Sequence, residues 1–182
     1  MAQVCMMTFS ILRAPYGDPL VQEFDDRTPD VFAEAEKWDG FISRAKAIDD
    51  AEWMENYHRD WGAWGPFAVP RFYLDGTTYG HTKQAQTLSI WRDLSSVWQF
   101  AYRGPLHHEA LRKRKEWFGL QGWPMYVAWW IDDDHQPNWR EACKRLEHLH
   151  DHGSTEYAFD FKMPFDAHGV RVQVNKPERV PT

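Results

Sequence analysis

The stretch from Met125 to Ile131 constrains the fold more than any other. Pro124 opens it, and Tyr126-Val127-Ala128-Trp129-Trp130 is apolar at every position. Successive side chains of a strand point to opposite faces, so a strand that is apolar throughout needs cover on both sides. Helices over one face and another sheet over the other would supply that cover. At 182 residues the chain is long enough for one domain with a sizeable core.

Other elements follow from periodicity and punctuation. Val4 to Leu12 reads as a first strand. Thr28-Pro29 looks like an N-cap with proline at the first helical position, followed by Val31, Phe32, Ala35 and Trp38 at helical spacing and a stop at Asp39-Gly40. Phe41 to Ile48 reads as a second strand. Ala85 to Trp91 alternates as a third, with Leu88 and Ile90 on one face and Thr87, Ser89 and Trp91 on the other. Leu94, Val97, Trp98, Ala101 and Tyr102 form one stripe of a helix. Gly104-Pro105 interrupts it, and a second helical piece runs to Phe118. A third helix spans Asn138 to Leu149, with Trp139, Ala142, Cys143, Leu146 and Leu149 inward. Phe159-Asp160-Phe161 is a candidate last strand. The order β-α-β, loop, β-α-β plus a helix is the ferredoxin-like α+β pattern. Such a sheet carries helices on one face, and its other face is apolar here. A second copy would cover it, which is the physical case for a homodimer.

The domain is expected to occupy 1–165, with an aromatic-rich insertion at 49–80 and a tail or arm at 166–182. In the insertion, Trp53, Tyr57 and Trp61 could share a helical face. Eleven Trp is an unusual number for this length and implies thick aromatic packing, a large interface or a pocket for a flat ligand. A net charge of −6 argues against a nucleic-acid partner. The run Arg112 to Lys115 lies on a helix, where a solvated face is the ordinary reading. Cys5 and Cys143 fall in a strand and a helix and suggest no disulfide framework or zinc site. No basic segment followed by an apolar core opens the chain, and no stretch approaches a membrane span, so a cytoplasmic protein without a membrane partner is expected.

Six segments carry a resemblance: "ILRAPYGDP" at 11–19, "DGFISR" at 39–44, "TLSIW" at 87–91, "FAYRGPLHHEALRKRKEWF" at 100–118, "AWWIDDDHQP" at 128–137 and "EACKRLEHLHDHGSTEYAFDF" at 141–161. In order and spacing they resemble an uncharacterised bacterial and fungal family of the dimeric α+β barrel superfamily, the group of the antibiotic-biosynthesis monooxygenases. The resemblance implies a pocket between sheet and helices. Where relatives tend to have Asn in the first and third strands this chain has Thr8 and Thr87, and where they tend to have Trp in the second it has Ser43. The superfamily includes cofactor-free monooxygenases, cyclases, isomerases, aldoxime dehydratases and haem-binding enzymes, so the fold implies a pocket rather than one reaction.

Tyr102-Arg103-Gly104-Pro105-Leu106-His107-His108 is the leading site segment. The helix break can turn polar side chains inward, and neutral histidine is the natural base near neutral pH. The resemblance also places a histidine at His107. The expected roles are His107 as general acid/base, Tyr102 as hydrogen-bond donor to a developing oxyanion, and Arg103 as substrate orienter. The alternative is that His107 caps a helix and Tyr102 is core. Trp91, Trp98, Trp129 and Thr87 are expected to contact substrate, with plain sheet packing as the alternative for the tryptophans, and His58 and His81 could close the pocket from above. His148, His150 and His152 with Glu147 and Asp151 look metal-like, yet a helix C-terminus favours histidines through its dipole, and no metal is expected. The expected function is a small-molecule enzyme of secondary metabolism without a cofactor. It would be a monooxygenase, cyclase or isomerase acting on an apolar aromatic or polyunsaturated substrate in a Trp-rich pocket. The alternatives are a haem-binding enzyme, with His107 or His58 as axial ligand, and a non-catalytic ligand-binding domain.

Overall fold

The computed structural model describes residues 1–49, 56–74 and 83–174. Four strands, β1 (Gln3–Ile11), β2 (Phe41–Arg44), β3 (Gln84–Trp91) and β4 (Tyr126–Ile131), form an antiparallel sheet in the order β2-β3-β1-β4. Among the described residues five helices accompany them: α1 (Gln22–Glu36), the single turn α2 (Arg71–Leu74), α3 (Leu94–Arg103), α4 (Pro105–Trp117) and α5 (Trp139–His152). The chain is therefore an α+β protein with the strand and helix order expected from its periodicity. No helix among the described residues is long and apolar enough to cross a membrane.

β1 is central, and its alternation sorts the core into two faces. Val4 and Met6 point with Trp91 and Ala128 towards Ala35 of α1 and Leu94, Val97 and Phe100 of α3. Cys5, Met7, Phe9 and Ile11 point the other way, with Leu88, Ile90, Val127 and Trp129. That second face is not bare. Trp139, Ala142, Cys143, Leu146 and Leu149 of α5 pack on it, together with Trp64, Phe67, Phe72 and Tyr73 of the insertion. Phe67 and Trp139 lie edge to face with centroids 5.0 Å apart, and Phe72 stacks on Trp123 at 5.4 Å. The sheet face expected to be covered by a second copy in a homodimer is instead covered by the chain's own α5 and insertion. The tryptophans of this face are spent on that closure.

Several boundaries differ from the sequence reading. α1 starts one and a half turns before Thr28-Pro29, leaving Pro29 inside the helix. Asp18 builds the actual start: its carboxylate accepts the N–H of Leu20 at 2.9 Å and its carbonyl accepts that of Val21 at 3.0 Å. The Thr28 hydroxyl bonds the Phe24 carbonyl at 2.8 Å rather than capping a new helix. β2 ends at Arg44, short of the expected Ile48, and its register slips between Phe41 and Ser43. Tyr57 and Trp64 lie in separate 3-10 turns and Trp61 precedes the second, so they share no helical face, while Trp53 lies outside the described residues. Phe159 makes a single bridge to Ala128 on the outer edge of β4 instead of a strand. Residues 166–174 turn back through Phe165 and Arg171, and Val172 and Val174 pack on the helix-side cluster, so this part is no free arm.

Candidate functional site

The helix side of the sheet carries two separate apolar clusters. One holds Val4, Met6, Trp91 and Phe100, and the other holds Leu12, Val21 and Trp117 with Phe24 and Ala85. α1 reaches from Val21 and Phe24 in the second cluster to Ala35 in the first, and α4 runs back from beside Phe100 to Trp117. Between the clusters lies a row of hydroxyls. Thr8 pairs in register with Thr87 on one side and with Tyr126 on the other, and all three are half-buried. Thr8 belongs to a central strand whose other face is sealed by Met7 and Phe9, so its exposure can come only from the helix side. The two threonine hydroxyls are 2.7 Å apart. The Tyr126 hydroxyl accepts the N–H of Phe161 at 3.1 Å, and burial raises its phenol well above the ordinary tyrosine value.

His107 stands on the first turn of α4, half-buried, its ring 4.9 Å from that of Phe100. Gly104 makes this corner possible. A Cβ there would meet the Phe100 carbonyl oxygen at 2.8 Å and Glu34 Oε2 at 3.0 Å. With no side chain at Gly104, the Glu34 carboxylate reaches the free N-terminus of α4 and accepts the N–H groups of Leu106 and His107, each at 3.1 Å. Pro105, lacking an N–H, costs nothing at that first helical position.

The His107 ring has a defined tautomer. Its Nδ1 lies 2.8 Å from the Ala101 carbonyl, which can only accept, so Nδ1 carries the hydrogen. Nε2 is then the lone-pair nitrogen, and no other described residue bonds it. Burial pulls the ring's proton affinity below the ordinary histidine value, against the opposing pull of the Ala101 carbonyl and Glu34. The ring is thus held neutral, with its basic nitrogen unengaged.

The remaining expected residues are scattered. Tyr102 is 40% exposed, because Phe100 takes the inward position on α3 and Tyr102 lies at the helix edge against Trp98. Its ring centroid is 6.2 Å from that of Phe161, on the β4 side, and its hydroxyl bonds that of Tyr126, so it joins the tyrosine end of the hydroxyl row. Arg103 is exposed at the end of α3. Trp98 is half-buried. Trp91 and Trp129 cannot line one pocket, since they point to opposite faces of the sheet, and both are core. Ser43 pairs with Ile90 and so faces away from Thr87. His58 is exposed, in a turn whose neighbours pack on the second face, and His81 lies outside the described residues. Cys5 and Cys143 are buried, and burial raises both thiols, Cys143 to about 12. The rings of His148 and His152 are 4.6 Å apart, but no group of described residues forms a metal-binding set.

Glu34, Phe100 and Tyr126 were not expected as site residues. The sequence carries one signal for Glu34: a Gly-Pro break leaves N–H groups that need an acceptor, and α1 is rich in carboxylates. Two open clefts lie elsewhere. One of about 250 Å3 is lined by Ile11, Arg13, Gln121 and Trp123 among others, and one of about 320 Å3 lies beside Trp130 and His135.

A protein-family model described as a domain of unknown function (DUF3291) matches residues 2–175. No curated protein and no solved structure matches the chain.

Proposed function

Because the chain belongs to the DUF3291 family, whose description assigns no activity, we propose a function from the site itself: the half-buried hydroxyl row between the two helix-side clusters binds a small molecule with an apolar body and an ionisable oxygen, and His107 acts on it as a general base. The observation that carries this reading is the His107 ring, neutral, fixed through Nδ1 and unpartnered at Nε2. A base must be uncharged near neutral pH and free to take a proton, and a ring already anchored loses little freedom on doing so. Thr8, Thr87 and Tyr126 supply hydroxyls for the polar end of the ligand, and the flanking apolar clusters suit its body. Phenols, enols and polyunsaturated acids have this character. Removal of a proton, giving a phenolate, enolate or dienolate, opens one route to oxygenation, cyclisation and isomerisation of such compounds.

The strand order β2-β3-β1-β4 supports a ferredoxin-like fold and is consistent with the dimeric α+β barrel superfamily. Pairing of two copies through the sheet is left out of this reading, since α5 and the insertion occupy that face.

The test has two stages. Thermal-shift screening of phenols, enols and polyunsaturated acids should find a stabilising class, and turnover of that class should fall about 10²–10⁴-fold in His107→Ala while the fold is retained. Full turnover in that variant would overturn the reading. A second reading, haem binding through His107, is favoured by the same Nδ1 bond, because metal-ligating histidines commonly donate their other N–H to a carbonyl. A Soret band that vanishes in His107→Ala would select it.

A further inference from the structure

The motifs at 128–137 and 141–161 meet at a second place, where the end of β4 approaches the first turn of α5. Glu141, in the first turn of α5, is the hub. Its Oε1 accepts the indole N–H of Trp129 at 3.1 Å and a guanidinium N–H of Arg145 at 3.0 Å. Its Oε2 lies 2.7 Å from Nε2 of His135. Arg145 is clamped in turn, its guanidinium 3.8 Å from the centroid of the Tyr157 ring and donating to the Tyr157 carbonyl at 2.6 Å.

Two features separate this from an ordinary surface ion pair. The carboxylate is only 17% exposed and engages three donors, so it is fixed before any ligand arrives. His135 and Arg145 also line a cleft of about 320 Å3, with Trp130, Asp132, Ala2 and Ala167 around it. Since a carboxylate oxygen only accepts, Nε2 of His135 carries a hydrogen; in the neutral ring Nδ1 is then the lone-pair nitrogen, and it has no bond to any described residue. Asp132, exposed at the rim, offers further acceptors.

The charge arithmetic decides which ligand suits the cleft. Arg145 is matched by Glu141 and the N-terminal ammonium by Asp133, so that among the described residues the acidic charge of Asp132 is in excess on a wall that also offers His135 and Trp130. An anion would meet the Asp132 carboxylate there and, among the described residues, only cations already paired with a carboxylate. We propose that this cleft is a binding site for a small neutral hydroxyl-bearing molecule, with His135 Nδ1 and Asp132 accepting its hydroxyl hydrogens, Trp130 packing against its carbon face and Glu141 acting as the positioning residue for His135. The site is independent of His107 and stands whether or not the function proposed above holds.

Nuclear magnetic resonance on the full chain tests it, using D-glucose and glycerol as probes and acetate as the anionic control. The expected result is saturable shifts of the His135 ring and of the Trp129 and Trp130 indole N–H signals with the hydroxylated probes and none with acetate. His135→Phe, at an exposed position where folding is not at stake, should weaken binding about tenfold or more. Glu141→Gln keeps the side-chain shape and should weaken it by a similar factor while changing the Trp129 indole signal. Silence with all probes, shifts with acetate alone, or unchanged affinity in His135→Phe would each overturn the proposal.

Discussion

Glu34 on α1 and His107 on α4 are joined by a single contact, Oε2 accepting the backbone N–H of His107 at 3.1 Å. The carboxylate therefore does two things at once. It satisfies the start of α4, and its charge opposes the effect of burial on the imidazole.

Glu34→Ala should separate these effects. Loss of the acceptor frays the first turn of α4 and costs about 0.5–2 kcal/mol, the usual value of a cap. Loss of the charge lowers the His107 titration midpoint further. Denaturant unfolding measures the first, and the ring proton shifts of His107 across pH measure the second. An unchanged midpoint would remove Glu34 from the electrostatics of the site.

Gly104→Ala tests the corner sterically. The backbone at Gly104 has φ −58°, which any residue adopts, so conformational freedom is not the issue. The added methyl would sit 2.8 Å from the Phe100 carbonyl oxygen, a backbone atom that cannot swing away. Overpacking of this kind costs about 1–3 kcal/mol. Calorimetry should record a lower Tm, and His107 should lose its fixed tautomer in nitrogen-15 spectra.

The pH dependence of stability follows from the same ring. An unfolded histidine titrates near 6.5, while folding lowers the value for His107. As pH falls, the unfolded chain takes up this proton first. The stability gained by keeping the ring neutral is full above that range and is lost as pH drops through the folded value. Against His107→Gln, which does not titrate, the advantage of the native chain in urea midpoint should hold constant from pH 8 to about 7 and shrink below about 6.5. A difference that stays constant down to pH 5 would mean that the ring is not buried as described.

Trp139→Ala should open the second face of the sheet. Trp139 is 1% exposed and holds Phe67 and Trp61 of the insertion against α5. Its loss should cost about 3–5 kcal/mol and leave an apolar surface that promotes self-association. Sedimentation velocity at rising concentration would record it. A monodisperse variant with an unchanged unfolding midpoint would show that the face is closed by other means.

The sequence made the sheet legible because strands of period two with buried faces leave a strong mark: Leu88 and Ile90 against Thr87 and Trp91 lie as alternation requires. Helix α5 was equally plain from Trp139, Ala142, Cys143, Leu146 and Leu149. What escaped was tertiary. Nothing local in Trp139 or Phe67 says that they meet, so a face closed within the chain read as a face awaiting a partner. Tyr102 fell on an apolar stripe, but Phe100, two residues away, is the ring that stacks on Trp91. His107 was found because Gly104-Pro105 marks a break, whereas its carboxylate partner lies 73 residues away and left no local trace. The row of Thr8, Thr87 and Tyr126 depends on register across three strands.

The central place of β1 has a consequence for how the protein is made. Its partners in the sheet, β3 and β4, leave the ribosome last among the strands, with Cys5 waiting for Ile90 and Trp129. At ordinary rates of synthesis that delay is on the order of ten seconds. During it, Val4, Met6, Met7, Phe9 and Ile11 form a nascent apolar ribbon without a neighbour on either edge. Such a segment is a natural client for a chaperone that binds extended chains, and yield in the cell should depend on that protection more than the stability of the finished fold suggests.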